Sequence, residues 1–476
     1  MQAGEAVSFS PLDLSIGRAR ELIGSGELSP VALVEAALHR IAAADQELNA
    51  FRTVLGENAI EQAREIEDAA KRGHPLGPLA GIPIALKDNI EVAGVTMTAG
   101  NPHLGDPVPD ADAPVWERLR RAGAVLVGKL HMSEWAIGGT TQNVHYGPCR
   151  NPWDPERVSG GSSGGSGAAL PAGMAMATLG TDTAGSARIP AALCGVCALR
   201  CTAGRVSNRG SIPVAWTFDA ICPMARRAED VAELLAVMAG YDPQDPASLD
   251  VPTEDYVAAL GRGAQGLRIG LLGGDWLQDT PAPIAQAVRK AAATLERLGA
   301  VVEEIELPGR TEAFEVTGEL VLAEAAWVHR YRLEQCPEIF GPDVVKRLRR
   351  GAAVTGPRYG WGRQQQRAWR RRVLQALGDR DLLLVPGCPI PAPKISDSDP
   401  LEMTARLTRT ISMWVLSRTP VISVPVGFYE ELPVGMQLVG RPFAEATLLA
   451  AAHAYQQATD WHLRHPPARL LRPSAD

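Results

Sequence analysis

Two serines set among glycines, and one lysine closing an apolar run, are the residues of this 476-residue chain best equipped for chemistry. The serines lie in the stretch 158–190. It holds Gly160-Gly161-Ser162-Ser163-Gly164-Gly165-Ser166 and, 24 residues beyond Ser162, Ser186 between Gly185 and Ala187. Glycine lets a backbone enter strained angles and approach a ligand closely. A serine held in such a loop is a candidate nucleophile, provided a proton acceptor is at hand. The run passes directly into apolar segments on both sides, which is not how a flexible linker is built. Lys87 ends the run Gly81-Ile82-Pro83-Ile84-Ala85-Leu86, 75 residues before Ser162. Burial there would populate its neutral amine and make it a base. The plainer reading pairs Lys87 with Asp88.

Other chemistries fit less well. Gly161-Ser162-Ser163-Gly164-Gly165 matches G-x-S-x-G with Ser163 as nucleophile, a pattern that needs a downstream acid and histidine. His329, His453, His462 and His465 are available, but none follows a strand, and any Gly/Ser run generates the pattern by chance. The same run lacks the G-K-[ST] ending of a phosphate loop, and Gly273-Gly274 lacks dinucleotide spacing. Cys194, Cys197 and Cys201 offer three thiols with no second Cys or His pair nearby, so they read as buried structural cysteines. His131 and His145 read as packing or loop residues. No metal and no cofactor is expected.

Composition bounds the rest. With 46% hydrophobic and 21% charged residues the chain has an ordinary globular balance. The formal net charge of -7 argues against nucleic acid as the main partner. The basic stretch within 312–377, from Lys346 and Arg347 to Arg372, reads as a solvated helical face. No apolar run approaches the ~20 residues that span a bilayer. Met1–Ser10 carries no secretory pattern. Seven cysteines fit reduced thiols in the cytoplasm.

The elements that must position these residues follow from periodicity. Ser10-Pro11 and Ser29-Pro30 are helix starts, and a further helix is expected over 56–71, giving an N-terminal helical arm over 1–75. A buried strand at 82–86, a helix at 114–121 and a strand at 124–127 make βαβ units. An apolar helical run is expected over 168–179, with strand and turn material over 189–199 and 210–223. Later strands are expected at 267–272, 301–307, 381–385, 421–426 and 434–439, with helices at 229–238, after Pro281, through 312–377 and at 445–459. One domain is expected: a catalytic core over 76–240, a more variable part over 241–385, and a return to the sheet over 386–476.

Three of these stretches together are similar to the motifs of the amidase signature family. Gly81-Ile82-Pro83-Ile84-Ala85-Leu86-Lys87-Asp88 resembles its lysine motif. Gly160–Ser166 and Gly180-Thr181-Asp182-Thr183-Ala184-Gly185-Ser186-Ala187-Arg188-Ile189-Pro190 resemble its serine motifs. The resemblance runs from Ser29-Pro30 and Leu48-Asn49-Ala50-Phe51 to Gly435-Met436-Gln437-Leu438-Val439-Gly440, weakest over about 240–380. It implies an α/β fold with a mixed, largely parallel sheet covered by helices on both faces. It also implies a Ser-Ser-Lys triad: Ser186 as nucleophile, Ser162 on a cis peptide after Gly161 as proton relay, Lys87 as base. The amides of Thr183, Ala184, Gly185 and Ser186 would form the oxyanion hole, with Ser163, Asp182 and Arg188 in support. Ala184 and Arg200-Cys201-Thr202 depart from the commoner family residues, which bears on pocket shape.

The function so implied is a serine hydrolase cleaving amide C–N bonds through an acyl-enzyme. It is expected to act alone on a small amide, with carbamates or esters as further substrates, as a monomer or homodimer without nucleic-acid or membrane partners. The alternatives are a urethane-specific hydrolase and the glutaminase subunit of a tRNA-dependent amidotransferase. Specificity is expected from the loop 135–146 and the helical region 312–377. Trp135, Ile137, Gly138, Gly139, Thr140 and Trp216 are the candidate substrate contacts.

Overall fold

The structure is a computed structural model and describes residues 10–467 except 106 and 279. The segment 1–9, read above for a leader, lies outside the described residues. Among the described residues, eleven strands form one sheet: β1 (Phe51–Val54), β2 (Pro83–Lys87), β3 (Val125–Leu130), β4 (Ala177–Thr181), β5 (Cys197–Arg200), β6 (Ile221–Ala225), β7 (Arg268–Leu272), β8 (Val301–Ile305), β9 (Leu382–Pro386), β10 (Val421–Tyr429) and β11 (Leu432–Gly440). Their spatial order is β1-β3-β2-β4-β6-β5-β10-β11-β9-β7-β8. β2 pairs in parallel with β3 and β4, and β7 with β8 and β9. The strands between these blocks pair antiparallel, as does β1 at the edge. The sheet is therefore mixed, with a smaller parallel share than the βαβ spacing predicted.

Side chains alternate between two apolar cores, as the period of a strand requires. In β9, Leu382 and Leu384 enter one core while Leu383 and Val385 enter the other. The first core packs the N-terminal helices and the helices Ala282–Arg297 and Glu445–Gln457 against one face. The second holds the helices Arg310–Val328, Pro342–Ala352 and Gly356–Leu377 against the other. Helix starts follow the capping chemistry read from the sequence: the Ser29 hydroxyl accepts from the amide of Ala32 at 3.1 Å, with Pro30 in the first turn.

Two local expectations fail. The run 168–179 is not one helix. A short helix, Gly164–Ala169, ends before Pro171 and Gly173, and Ala177–Thr181 is the strand β4. Conversely, Arg188–Cys194 is a helix where strand and turn material was expected. Both stretches are almost wholly buried, and a continuous apolar run has no period to separate helix from strand.

Candidate active site

Four strand ends bring the chemistry together. β2 and β4 run in parallel, so Lys87 and Thr181 leave the sheet at the same edge. β6 runs antiparallel to β4 with Ile221 opposite Thr181, so the segment carrying Asp219 arrives there too. β5 is antiparallel to β6, and Arg200 at its end completes the group. Loops at the ends of such strands are where a sheet of this class presents its sites.

Lys87 is fully buried, with Nζ 2.7 Å from Ser162 Oγ and 2.7 Å from Thr181 Oγ1. Burial pushes its amine down to about 7, against the opposing pull of Asp182 and Asp219. Asp88, its neighbour in sequence, does not pair with it. Asp88 Oδ1 lies 3.1 Å from Lys129 Nζ, and Oδ2 accepts from the amide and hydroxyl of Thr98 at 2.9 and 2.5 Å. Among the described residues, the hydrogen-bond partners of Lys87 Nζ are thus hydroxyls, the arrangement in which a neutral amine can accept a proton from serine.

Ser162 is fully buried and follows a cis peptide from Gly161. Gly161 is required by space: a Cβ there would sit 2.8 Å from the amide nitrogens of both Thr140 and Thr141. Ser186 is only partly buried and opens onto a cavity. Its carbonyl accepts from the amide of Ser163 at 3.0 Å. The Ser163 hydroxyl donates to the carbonyl of Thr181 at 3.2 Å and accepts from its amide at 3.2 Å. Ser163, which the G-x-S-x-G pattern would select, is committed to β4 and fully buried.

Asp182 anchors the loop that carries Ser186. Its carboxylate takes Arg188 Nε at 2.9 Å and Nη2 at 3.0 Å, a bidentate fork, and lies 3.4 Å from Arg200 Nη1. Burial alone would raise this carboxyl, but Arg188 and Arg200 outweigh it and hold it well below the usual range. Asp182 Oδ1 also accepts the amide of Gly185 at 2.9 Å. Among the described residues, the amides of Thr183, Ala184 and Ser186 have no such protein acceptor and can serve an incoming oxyanion. Arg188 reaches on to the carbonyl of Ile411 and to Gln437 Oε1, both at 2.8 Å.

Asp219, Arg200 and Thr181 escaped the sequence reading. Asp219 accepts from the Thr183 hydroxyl at 2.5 Å and from the amides of Val214 and Ala215 at 3.0 to 3.2 Å. It thereby ties the loop that carries Ser186 to the adjoining wall. Burial pushes its carboxyl up to about 6, with these donors opposing. A single Asp ahead of an apolar strand carries no spacing signal. Arg200 was visible only as a departure from the family residue.

The cavity beside Ser186 has a volume of about 400 Å³. Gly161, Thr183, Ala184 and Ser186 line it, with Ile137, Gly138 and Gly139. Trp135, Thr140 and Trp216, expected as substrate contacts, stand outside it. Trp135 has a left-handed backbone (φ 51°) and packs against His329 and Phe340. Thr140 is buried, its amide facing Gly161. Trp216 is exposed and meets Trp327 edge-on, ring centres 5.2 Å apart. The helices within 312–377 do reach the cavity, through Phe314, Val321 and Arg350 among others. The helix Pro400–Leu407 and the turn after it, with Thr404, Thr408 and Ser412, form a wall that was not anticipated. Its start is legible in retrospect, since Asp399-Pro400 is a capped helix start like Ser29-Pro30 and Asp399 accepts from the amides of Leu401 and Glu402.

His131 is buried with Nε2 2.9 Å from the carbonyl of Gly147, and Cys194, Cys197 and Cys201 are buried free thiols. Among the described residues no group of His, Cys, Asp and Glu is placed to hold a metal ion, and no helix is long and apolar enough to cross a membrane.

Comparison with known proteins bears on what this site serves. The family model described as Amidase matches residues 32–449. A glutamyl-tRNA(Gln) amidotransferase subunit from Carboxydothermus hydrogenoformans is 39% identical, over 95% of this chain and 99% of that protein. A solved structure reported as an unexpected vestigial protein complex, revealing the evolutionary origins of an s-triazine catabolic enzyme, superposes with a TM-score of 0.89 at 36% identity, covering 94% of this chain and 98% of that one. The native peptide amidase of Stenotrophomonas maltophilia superposes with a TM-score of 0.84 at 32% identity, covering 94% and 96%. These relatives overturn the expected stand-alone amidase, and with it a monomer or homodimer free of macromolecular partners. The full-length match at 39% is to one component of an enzyme named for glutamyl-tRNA, whereas the peptide amidase stands at 32%.

Proposed function

The chain belongs to the amidase family and is an enzyme that hydrolyses amide C–N bonds; on that premise we propose that it is the amide-hydrolysing subunit of a tRNA-dependent amidotransferase. In this reading it releases ammonia from the side-chain carboxamide of glutamine and passes it to a partner subunit in the cytoplasm. The observation that carries the proposal is the match, near 40% identity and spanning at least 94% of this chain, to proteins named as glutamyl-tRNA(Gln) amidotransferase subunits. The geometry around Ser186 supports this reading.

Ser186 Oγ attacks the carboxamide carbon. Its proton passes to Ser162, and the Ser162 proton passes to neutral Lys87 Nζ, 2.7 Å away. The oxygen of the tetrahedral intermediate takes up the free amides of Thr183, Ala184 and Ser186. The amide of Gly185 is already held by Asp182 and stiffens the loop instead. Such pre-aimed donors are each worth a factor of ~100 or more in turnover. Collapse breaks the C–N bond. The proton returns from Lys87 through Ser162 to the departing nitrogen, which leaves as ammonia. Water then attacks the Ser186 ester along the same relay and frees the carboxylic acid.

Ammonia release from glutamine, measured for the chain alone and with its cognate partner subunits and glutamyl-tRNA, tests this. The expected result is release that the partners stimulate, amidation of the tRNA-bound glutamate, and a loss of ~1000-fold or more with Ser186→Ala. Partner-independent amide hydrolysis with no amidation of the tRNA would overturn it.

A further inference from the structure

Between Lys87 and Ser162 stands one turn, Ser133 to Ile137. It closes on itself through the amide of Ala136, given to the carbonyl of Ser133, and the amide of Ile137, given to the carbonyl of Glu134, both at 2.9 Å. On one side the amide of Ser133 donates to the carbonyl of Ser162 at 3.0 Å. On the other the amide of Trp135 donates to the carbonyl of Ala99 at 2.8 Å. The amide of Ala99 donates in turn to the carbonyl of Asp88, the residue after Lys87, at 3.1 Å. The turn is therefore a spacer that sets Ser162 against the chain leaving Lys87.

Its backbone does not keep this shape by preference. Trp135 and Ala136 stand at left-handed angles, φ 51° and 58°, although both carry a Cβ. Two such residues in succession persist only where their surroundings over-determine them. Glu134 supplies that hold. It is buried, and its Oε2 accepts the amide of Gly341 at 2.9 Å while its Oε1 accepts Asn101 Nδ2 at 2.6 Å. Asn101 Nδ2 also donates to the carbonyl of Ile339 at 2.9 Å, and His145 Nε2 lies 3.3 Å from Glu134 Oε1. One carboxylate thus ties the turn to the segment 339–341, which leads into the helix Pro342–Ala352, and to the loop that holds Ala99 and Asn101. Among the described residues no lysine or arginine pairs with it, so its charge is spent on fixing these donors.

We propose that Glu134 is a positioning residue of the proton relay: it clamps the left-handed turn and, through the Ser133 amide, keeps Ser162 at hydrogen-bonding distance from Lys87. The assignment rests on the reading that Ser162 carries the proton between Ser186 and Lys87. It adds the group that holds this serine in place from outside the cavity, which Ala136 and Ile137 line and Glu134 does not. With the clamp released, the turn is free to leave its left-handed angles, and the Ser162 carbonyl loses its fixed donor. The cavity and the loop that carries Ser186 keep their own anchors, so binding of substrate should survive while proton delivery suffers.

Leaving groups separate a misplaced relay from a loosened fold. Ammonia departs from glutamine only if a proton reaches its nitrogen, whereas p-nitrophenolate departs from p-nitrophenyl butyrate without one. Both substrates are given to the full chain with its partner subunits, at a temperature where calorimetry shows each variant folded. In Glu134→Ala, kcat for glutamine is expected to fall about tenfold or more and kcat for the ester by at most about threefold, with each KM within about twofold of the parent. Glu134→Gln keeps one acceptor oxygen and is expected to recover part of the amide rate; it carries the comparison if the alanine variant does not fold. Equal losses on the two substrates, a raised KM at unchanged kcat, or a lower melting temperature with both rates kept would overturn the positioning role. Ser162→Ala is the reference. If it leaves the amide-to-ester ratio at the parental value, the relay reading itself falls. If it lowers that ratio and Glu134→Ala does not, only the clamp falls.

Discussion

Lys87 is the residue whose surroundings decide the chemistry. Among the described residues no carboxylate lies within hydrogen-bonding reach to offset the cost of burying its charge, since Asp88 is taken by Lys129. Its amine is held down to about 7, so the neutral, proton-accepting form grows as pH rises through that value. Turnover per KM is therefore expected to climb about tenfold per unit below pH 7 and to level off above it. Lys87→Ala should abolish that rise together with most of the activity. A flat profile between pH 5.5 and 8 in the unmodified chain would remove Lys87 as the titrating base. The sequence made Lys87 legible because a charge at the end of an apolar run is rare. It could not tell which of Asp88 and Ser162 the lysine would meet, because that choice is made by Lys129 on another strand.

At the scale of elements, what was readable tracked periodicity. The helices Pro114–Arg121 and Gly56–Lys71 stand at the residues where they were expected. β4 and the helix after Ser186 were misread because both lie in apolar sequence with no polar face to set a period. The loop walls were the least legible: Asp219 and the 400–412 segment act through partners far away in the chain, and no local pattern records them. Joints between elements also carry titratable strain. Asp230 on the helix Ala228–Met238 accepts the first amide of the helix Ile16–Ser25 at 2.7 Å, and burial pushes its carboxyl up to about 8. The folded chain therefore keeps a proton that the unfolded chain releases near pH 4. Stability from this group is full below about pH 4 and is lost as pH rises toward 8, by at most about 1.4 kcal/mol per unit. Asp230→Asn should gain thermal stability relative to the parent between pH 5 and pH 8, read by calorimetry. A difference that stays constant across that range would show that Asp230 does not titrate there.

For the whole molecule, the site belongs to the centre of one continuous sheet and not to any local segment. Lys87, Ser162 and Ser186 come from the first half of the chain. Yet the fork that holds Asp182 is itself held by Ile411 and Gln437, and Gln437 is fixed in turn by the carbonyls of Pro386 and Thr410 at 3.0 and 3.2 Å. This sets an order of events during synthesis. A ribosome that has made residues 1–430 has already delivered Lys87, Ser162 and Ser186, the groups of the proposed relay, but not the strand that locks the loop bearing Ser186. Hydrolytic competence should thus be acquired last, as β11 docks. Stalled nascent chains probed with a serine-directed fluorophosphonate should label only once residue 437 has cleared the exit tunnel. Labelling of shorter chains at the full-length rate would show that the loop sets itself.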